Sequence, residues 1–148
     1  MKRSKTAGIV IHRSEVQTGR DYHFLIECSG HIRSLVAQDD VGEHALCFNK
    51  TTIGIAVFGD FAAKEKGRHF YPTTTQISAI VQLIGRLQAE YGPLWVTGHT
   101  NLGIRGTRFP VKLTAGHTCP GENFPLDYII EQTHALHFPL EPLRVNIS

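Results

Sequence analysis

The sequence has little cysteine, little net charge and no long apolar run. Three cysteines among 148 residues are too few for a disulfide scaffold, and because the number is odd, at least one thiol is free. The formal net charge is only +2, which gives no argument for binding nucleic acid. No apolar run reaches the length of a membrane span. The sequence therefore predicts a globular protein that neither crosses a membrane nor binds nucleic acid.

The length fits one domain, large enough to bury a core of its own. The first residues, MKRSKTAGIVIHRS, are basic, but the apolar run after them is shorter than the roughly 7 to 15 residues of a signal peptide. We therefore expect a chain made in the cytoplasm, which would reach an external target through lysis or another secretion machine. We find no repeat and no linker. The prediction is a single monomeric domain over 1–148, with a core at about 8–136 and a loosely packed tail at 137–148.

Strand signals dominate the first part of the chain. Residues 8–12 and 22–27 are rich in β-branched and aromatic residues, and a turn at 28–30 leads into 31–37, which favours a hairpin. Residues 52–59 are apolar at every position except Thr52 and the glycines. This pattern is typical of a central strand that is covered on both faces.

Helix signals follow in the second part. Pro72-Thr73 starts a helix whose apolar positions recur at helical spacing until Gly92-Pro93 ends it. A strand is expected at about 94–97, and Pro125 opens a last helix that extends to about Leu136. The order of elements predicts an α/β fold, in which helices flank a mixed central sheet within one domain.

Two histidines and one cysteine lie beside apolar runs or tight turns. His12 ends one short apolar run, His99 follows another, and Cys119 precedes Pro120-Gly121. Zinc binds neutral imidazole and thiolate, and a catalytic zinc site uses three protein ligands. The spacings match no compact local motif, so these residues alone leave open whether they bind a metal or are ordinary core and loop groups. The other two cysteines, at 28 and 47, are expected to be unpaired core or loop thiols.

A set of motifs in a fixed order carries a resemblance. They are IVIHRS, DYHFLIECSGHI, GEHALCFNKTTIGIAVFGDF, TGH and HTCPGENF. Together they resemble the zinc-dependent N-acetylmuramoyl-L-alanine amidases, the superfamily of the T7-type lysozyme and the peptidoglycan recognition proteins. The resemblance covers about Gly8 to about Leu136. Its most specific part is the order of YHFLI, NKTTIGIAVFGDF and CPG.

The resemblance implies roles for five residues. His12, His99 and Cys119 match the zinc ligands of the family, so one Zn²⁺ per chain is expected. Tyr22 matches a catalytic tyrosine that lies beside the reacting water. His117 occupies a position where relatives often carry Lys or Thr, and it is expected to assist at the oxyanion or the leaving amine. A fourth metal ligand or a plain loop residue is the alternative for His117.

The resemblance also implies a substrate groove. His44, in Gly-Glu-His-Ala, and Asn49 match positions that line the glycopeptide cleft, although a polar loop is an equal alternative. Only nine residues separate His12 from Tyr22, where many relatives have a longer segment that carries a helix. We therefore expect one wall of the cleft to be missing.

A long insert distinguishes the chain from its relatives. Nineteen residues separate His99 from Cys119, where relatives usually have a short turn. Loops of this length are usually functional or disordered. We expect the insert at 100–116 to replace the missing wall, with Arg105 and Arg108 binding carboxylates of the stem peptide. No acidic general base matches a family pattern, and the glutamates at 27 and 43 are unsupported candidates.

The implied function is hydrolysis of the amide between the lactyl group of N-acetylmuramic acid and L-Ala of the stem peptide. The expected partner is peptidoglycan or a muramyl peptide, and an immunity or inhibitor protein stays unidentified. Two other functions remain open, a peptidoglycan-binding module that no longer cleaves and a zinc hydrolase of another amide. Non-catalytic relatives tend to lose the cysteine ligand, so Cys119 and Tyr22 favour the enzyme.

Overall fold

A computed structural model describes residues 1–14, 21–62, 71–102 and 119–139. Within these ranges the chain forms six strands and two α-helices. The elements in chain order are β1 (Gly8–Ser14), β2 (Phe24–Ile26), β3 (Ile32–Ser34), β4 (Thr52–Phe58), α1 (Thr74–Tyr91), β5 (Trp95–Gly98), α2 (Leu126–Thr133) and β6 (Leu136–His137).

The strands form one mixed sheet in the order β3-β2-β4-β1-β5-β6. Four neighbouring pairs are parallel, and only the β2–β3 hairpin is antiparallel. The two longest strands, β1 and β4, lie at the centre, and six of the seven residues of each are buried. The prediction of a mixed α/β sheet with flanking helices is confirmed.

Side chains of a strand alternate between the two faces of a sheet, and here the two faces differ. One face packs against α1 and α2 and carries the main apolar core. The strand residues of this core are Ile9, Ile11, Phe24, Ile26, Ile53, Ile55, Val57 and Val96. Among the described residues, the opposite face carries a smaller apolar cluster, formed by Val10, Ala45 and Leu102 with Phe48, Trp95 and Phe138. The opposite face therefore has room for polar groups.

Helix α1 begins with a capping box. The Thr73 hydroxyl accepts from the Gln76 N–H, and the Gln76 side chain accepts from the Thr73 N–H, which satisfies two otherwise unpaired donors. The amide of Gln76 also donates to the carbonyls of Ile26 and Phe58, and these bonds join the helix start to β2 and β4. The expected apolar stripe is largely confirmed, with Ile80, Ile84 and Leu87 buried.

The prediction that the last helix extends to about Leu136 is wrong. Helix α2 ends at Thr133, because His134 adopts a left-handed conformation with φ 55°, which ends the helical hydrogen bonding. Leu136 and His137 then pair in parallel with β5 as the edge strand β6, so the expected loose tail starts with a strand. Neither α-helix of the described residues is long and apolar enough to cross a bilayer.

Candidate metal centre

The pairing of β1 with β5 brings two histidines together. Ile11 lies opposite Gly98 in this parallel register. The next residue of each segment is a histidine, His12 within β1 and His99 directly after β5. Their ring centroids are 4.6 Å apart. Two residues that are distant in sequence therefore become neighbours at the carboxyl edge of the parallel strands, where open α/β sheets commonly bind ligands.

The thiol of Cys119 reaches the same edge through a bonded turn. The Thr100 N–H donates to the Cys119 carbonyl at 2.8 Å, and the Cys119 N–H donates to the Thr100 hydroxyl. The turn lies close to β5, because a Cβ added to Gly98 would stand 2.7 Å from Cδ of Pro120. On its other side, the N–H of Arg13 donates to the Cys119 sulfur at 3.4 Å. The thiol is therefore fixed by both β1 and β5.

His12, His99 and Cys119 form a donor set that fits a metal ion. One nitrogen of each ring and the sulfur all lie within 4.8 Å of one another. Nitrogen and sulfur ligands of a tetrahedral zinc ion would stand about 3.3 to 3.8 Å apart, given the usual bond lengths of about 2.0 to 2.3 Å. Only small adjustments of the rings would close the remaining gap. Two imidazoles and one thiolate are also a chemically suitable set for zinc.

Burial sets the protonation of these groups. The pKa of His12 is lowered well below its usual value, first by burial and then by the nearby His44 and His99 rings. Burial also lowers the pKa of His99, so both rings are neutral near pH 7, as metal ligands must be. Burial raises the pKa of Cys119, although the Arg13 N–H and charge oppose this. Without a metal, Cys119 is therefore a thiol.

Tyr22 lies against the metal-ligand cluster. Its ring centroid is 4.9 Å from that of His12, with a tilt of 49° between the ring planes. Its side chain is half-buried. Burial raises the pKa of Tyr22, and the neighbouring Cys119 and Asp21 add to that effect. The phenol is consequently neutral at physiological pH, and its hydroxyl is able to donate a hydrogen bond.

His44 is a buried neighbour of His12, and Asn49 holds the loop that carries it. His44 is only 7% exposed, and its Nδ1 lies 2.9 Å from Nε2 of His12. Oδ1 of Asn49 accepts from the N–H groups of His44 and Ala45, at 2.8 and 2.7 Å. The loop that carries His44 is therefore held by Asn49. The structure brings both residues to the candidate site, and the predicted contact with substrate stays a prediction.

Three other predicted site residues, His117, Arg105 and Arg108, lie outside the described residues. The insert also lies outside the described residues from position 103 onward. Its first three residues, 100–102, belong to a 3-10 helix at His99–Leu102. The two glutamates considered as a general base have other surroundings. Glu27 forms an ion pair with Arg33 at 3.6 Å, and Glu43 is exposed.

Two residues of the site were missed by the sequence interpretation. Arg13 contributes a backbone N–H to the Cys119 sulfur, and no side-chain pattern identifies a backbone donor. The Thr52 hydroxyl lies 3.3 Å from Nε2 of His44. The register of β4 against β1 would have identified Thr52, since it places Thr52 and Gly54 on the same face as His12. That register is not evident from the sequence.

The chain is thus an α/β domain in which three side chains that could hold a metal ion lie together at the edge of a mixed sheet. The chain belongs to the N-acetylmuramoyl-L-alanine amidase family, whose model matches residues 2–122. It is therefore an enzyme of the amidase class. The reaction that the family name describes is hydrolysis of the amide that joins N-acetylmuramic acid to L-alanine in peptidoglycan.

Similar proteins agree with this assignment. The endolysin of Klebsiella phage KP32 is 27% identical, over 61% of this chain and 72% of the relative. The endolysin of Enterobacteria phage K11 is also 27% identical, over 60% of this chain and 58% of the relative. Both relatives bear the name of phage enzymes.

Solved structures share the fold. The N-acetylmuramoyl-L-alanine amidase LysC from Clostridium intestinale is 26% identical with a TM-score of 0.70, over 89% of this chain and 87% of that one. Wild-type Drosophila PGRP-LB is 18% identical with a TM-score of 0.66, over 95% of this chain and 89% of that one. At this lower identity the likeness concerns the fold alone.

Proposed function

We propose that the chain is a zinc amidase that hydrolyses the bond between the lactyl group of N-acetylmuramic acid and L-Ala of the stem peptide. His12, His99 and Cys119 would hold one zinc ion. The observation that carries the proposal is the convergence of these three donor atoms within 4.8 Å in a chain of this family. A binding module that no longer cleaves has no need of such a donor set.

Zinc with three protein ligands supplies Lewis acidity, which polarises a carbonyl and lowers the pKa of water. The residues of the chain prepare the site for it. Burial keeps His12 and His99 neutral, so each ring has a lone pair to offer. Cys119 loses its proton when it binds metal. The Arg13 N–H, which already faces the sulfur at 3.4 Å, then stabilises the thiolate.

Tyr22 acts as a neutral hydrogen-bond donor in this proposal. When water adds to the amide carbonyl, the carbonyl oxygen becomes negatively charged, and a fixed donor stabilises that charge. The Tyr22 hydroxyl keeps its proton because its pKa is raised, and its ring is anchored against His12. The departing amine of L-Ala needs a proton, and His117 is the residue proposed to deliver it.

The proposed substrate is peptidoglycan or a soluble muramyl peptide. Asn49 is proposed to line the groove, and Arg105 and Arg108 are proposed to bind carboxylates of the stem peptide. The endolysin relatives support action on the cell wall, after lysis or export by another machine. A monomer suffices, since the three donor residues come from one chain.

Metal analysis of the purified protein tests the proposal. The wild-type protein should contain about one zinc ion per chain and release L-Ala-linked peptides from sacculi. Cys119→Ala should fold but lose zinc and activity together. Cys28→Ala is the matched control, since it removes an exposed thiol, and it should keep both. Wild-type protein that contains no metal, or Cys119→Ala that retains zinc in full, would contradict the proposed coordination.

A further inference from the structure

A chain of hydrogen bonds leads away from the proposed metal ligand His12 into the sheet. Nε2 of His12 lies 2.9 Å from Nδ1 of His44. Nε2 of His44 lies 3.3 Å from the Thr52 hydroxyl, and that hydroxyl lies 2.7 Å from the Phe48 carbonyl. His12, His44 and Thr52 are all buried, so water does not compete for these bonds. The proposed roles of His12 and His44 do not account for this series of hydrogen bonds.

The last acceptor sets the direction of every bond in the chain. The Phe48 carbonyl can only accept, so it takes the single proton of the Thr52 hydroxyl. The Thr52 oxygen is then left to accept, and Nε2 of His44 must donate to it. A neutral His44 with its proton on Nε2 has a lone pair on Nδ1. Nδ1 of His44 therefore accepts from Nε2–H of His12, which leaves the lone pair of His12 on Nδ1.

We propose that His44 and Thr52 are positioning residues that fix His12 in the Nε2–H tautomer, so that its Nδ1 is the atom offered to the metal. This inference rests on the proposed metal centre. The reverse orientation would place a proton on Nδ1 of His12 and engage its Nε2 with His44, which leaves no lone pair for a metal ion. Partners behind a metal-binding imidazole set its tautomer and orientation in this way.

The surroundings of His44 favour one fixed position of its ring. A Cβ added to Gly54 would stand 2.6 Å from Cγ of His44, so the ring lies flat against β4 only because residue 54 is glycine. The loop on its other side is held by Asn49, through the N–H of His44. His44 therefore supports His12 from behind, whereas the resemblance to the family implies a contact with substrate. The two roles predict different effects of a change at Thr52.

The experiment compares Thr52→Val with Thr52→Ser in the full chain. Valine has the shape of threonine but no hydroxyl, so Nε2 of His44 loses its acceptor and both rings lose their fixed tautomer. Thr51→Val is the matched control, because the Thr51 hydroxyl donates to the Phe48 carbonyl at 3.4 Å and none of the described hydrogen bonds joins it directly to His44. Circular dichroism establishes that each variant is folded.

Two readouts decide the outcome. Zinc affinity, measured against a competing chelator, should fall about 10- to 100-fold in Thr52→Val and stay near wild type in Thr52→Ser and Thr51→Val. Nitrogen-15 NMR of the metal-free wild-type protein should show His12 as the Nε2–H tautomer, and Thr52→Val should show a mixture. A higher KM in Thr52→Val with unchanged zinc affinity would overturn the inference and return His44 to the groove.

The tautomer measurement separates the inference from the proposed function. If metal-free wild-type protein carries the His12 proton on Nδ1, the inference is wrong even when zinc binds tightly. If zinc does not bind at all, the proposed function fails. The inference about His12 is tested separately in the metal-free protein, and a His12 tautomer that is unchanged by Thr52→Val overturns it. If Thr52→Val does not fold, Gly54→Ala replaces it, because the added methyl group would displace the His44 ring. A His12 tautomer that is unchanged in Gly54→Ala would also overturn the inference.

Discussion

The two faces of the sheet are built from the same strands, yet they do different work. On the face that packs against α1 and α2, β1 contributes Ile9 and Ile11 to an apolar core. On the opposite face, the same strand contributes Val10 to a small cluster and His12 to the candidate metal site. Because side chains alternate along a strand, a core residue, Ile11, is followed directly by a residue of the candidate site, His12.

The faces also differ in what their buried groups require. The helix-covered face gains stability in proportion to the apolar area removed from water. The site face buries polar side chains, among them His12, His23, His44 and Thr52. Each of these must find a hydrogen-bond partner to avoid a large cost, and each does. The apolar core therefore stabilises the fold, while the hydrogen bonds of the site face fix the orientation of its side chains.

The largest expected effect is the loss of stability caused by a cavity in the helix-covered face. Leu87 of α1 is fully buried in the main core, so Leu87→Ala should lower the free energy of unfolding by about 2 to 5 kcal/mol. Urea unfolding of the metal-free protein measures this. Gln82→Ala, at an exposed position of the same helix, should change it by less than about 0.5 kcal/mol. The folded fraction of Leu87→Ala should keep its zinc, and a loss of zinc would mean that the two faces are coupled.

The second prediction concerns the site face. Tyr22→Phe removes one hydroxyl and little volume, so fold and zinc content should stay unchanged. Turnover should fall by roughly 10²- to 10³-fold, as expected when a donor to the developing oxyanion is lost, with little change in KM. The rate of product release from a soluble muramyl peptide measures the effect. Tyr128→Phe is the control, since that ring is 51% exposed, and an equal rate in the two variants would assign Tyr22 a structural role.

Much of the helix-covered face could be predicted from the sequence. The helical spacing of the apolar residues in α1 and the nearly continuous apolar run of β4 each indicate a buried element. The start of α1 after Pro72-Thr73 also followed from local residue types. The end of α2 could not be predicted in this way, because His134 takes a left-handed conformation that non-glycine residues rarely adopt. No glycine marks that end in the sequence.

The site face could be predicted only from the resemblance to the amidase family. His12, His99 and Cys119 are far apart in sequence, and the register that joins them is a tertiary property. The pairing of β4 with β1 likewise places Thr52 on the face of the sheet that carries His12. Local periodicity carries no information on such contacts, whereas the motifs of a family report them indirectly.

The third and smallest effect is a dependence of stability on pH that arises from the site face. Burial, with the nearby His23, lowers the pKa of His44 from 6.5 to about 4. Between these two values the unfolded chain binds a proton that the folded chain does not, so stability falls as pH decreases from about 6.5 to about 4. The stabilisation is fully present above that window. The lowered pKa values of His12, His23 and His99 act in the same direction.

Urea unfolding of the metal-free protein at pH 7 and pH 5 measures this third effect. His44 alone should make the free energy of unfolding about 2 kcal/mol lower at pH 5. His44→Gln should reduce the difference between the two pH values by about that amount, while His31→Gln, which removes an exposed imidazole, serves as the matched control. A wild-type protein that is equally stable at both pH values would mean that His44 is hydrated or already charged in the folded state. The site face would then lack the dry interior on which its fixed hydrogen bonds depend.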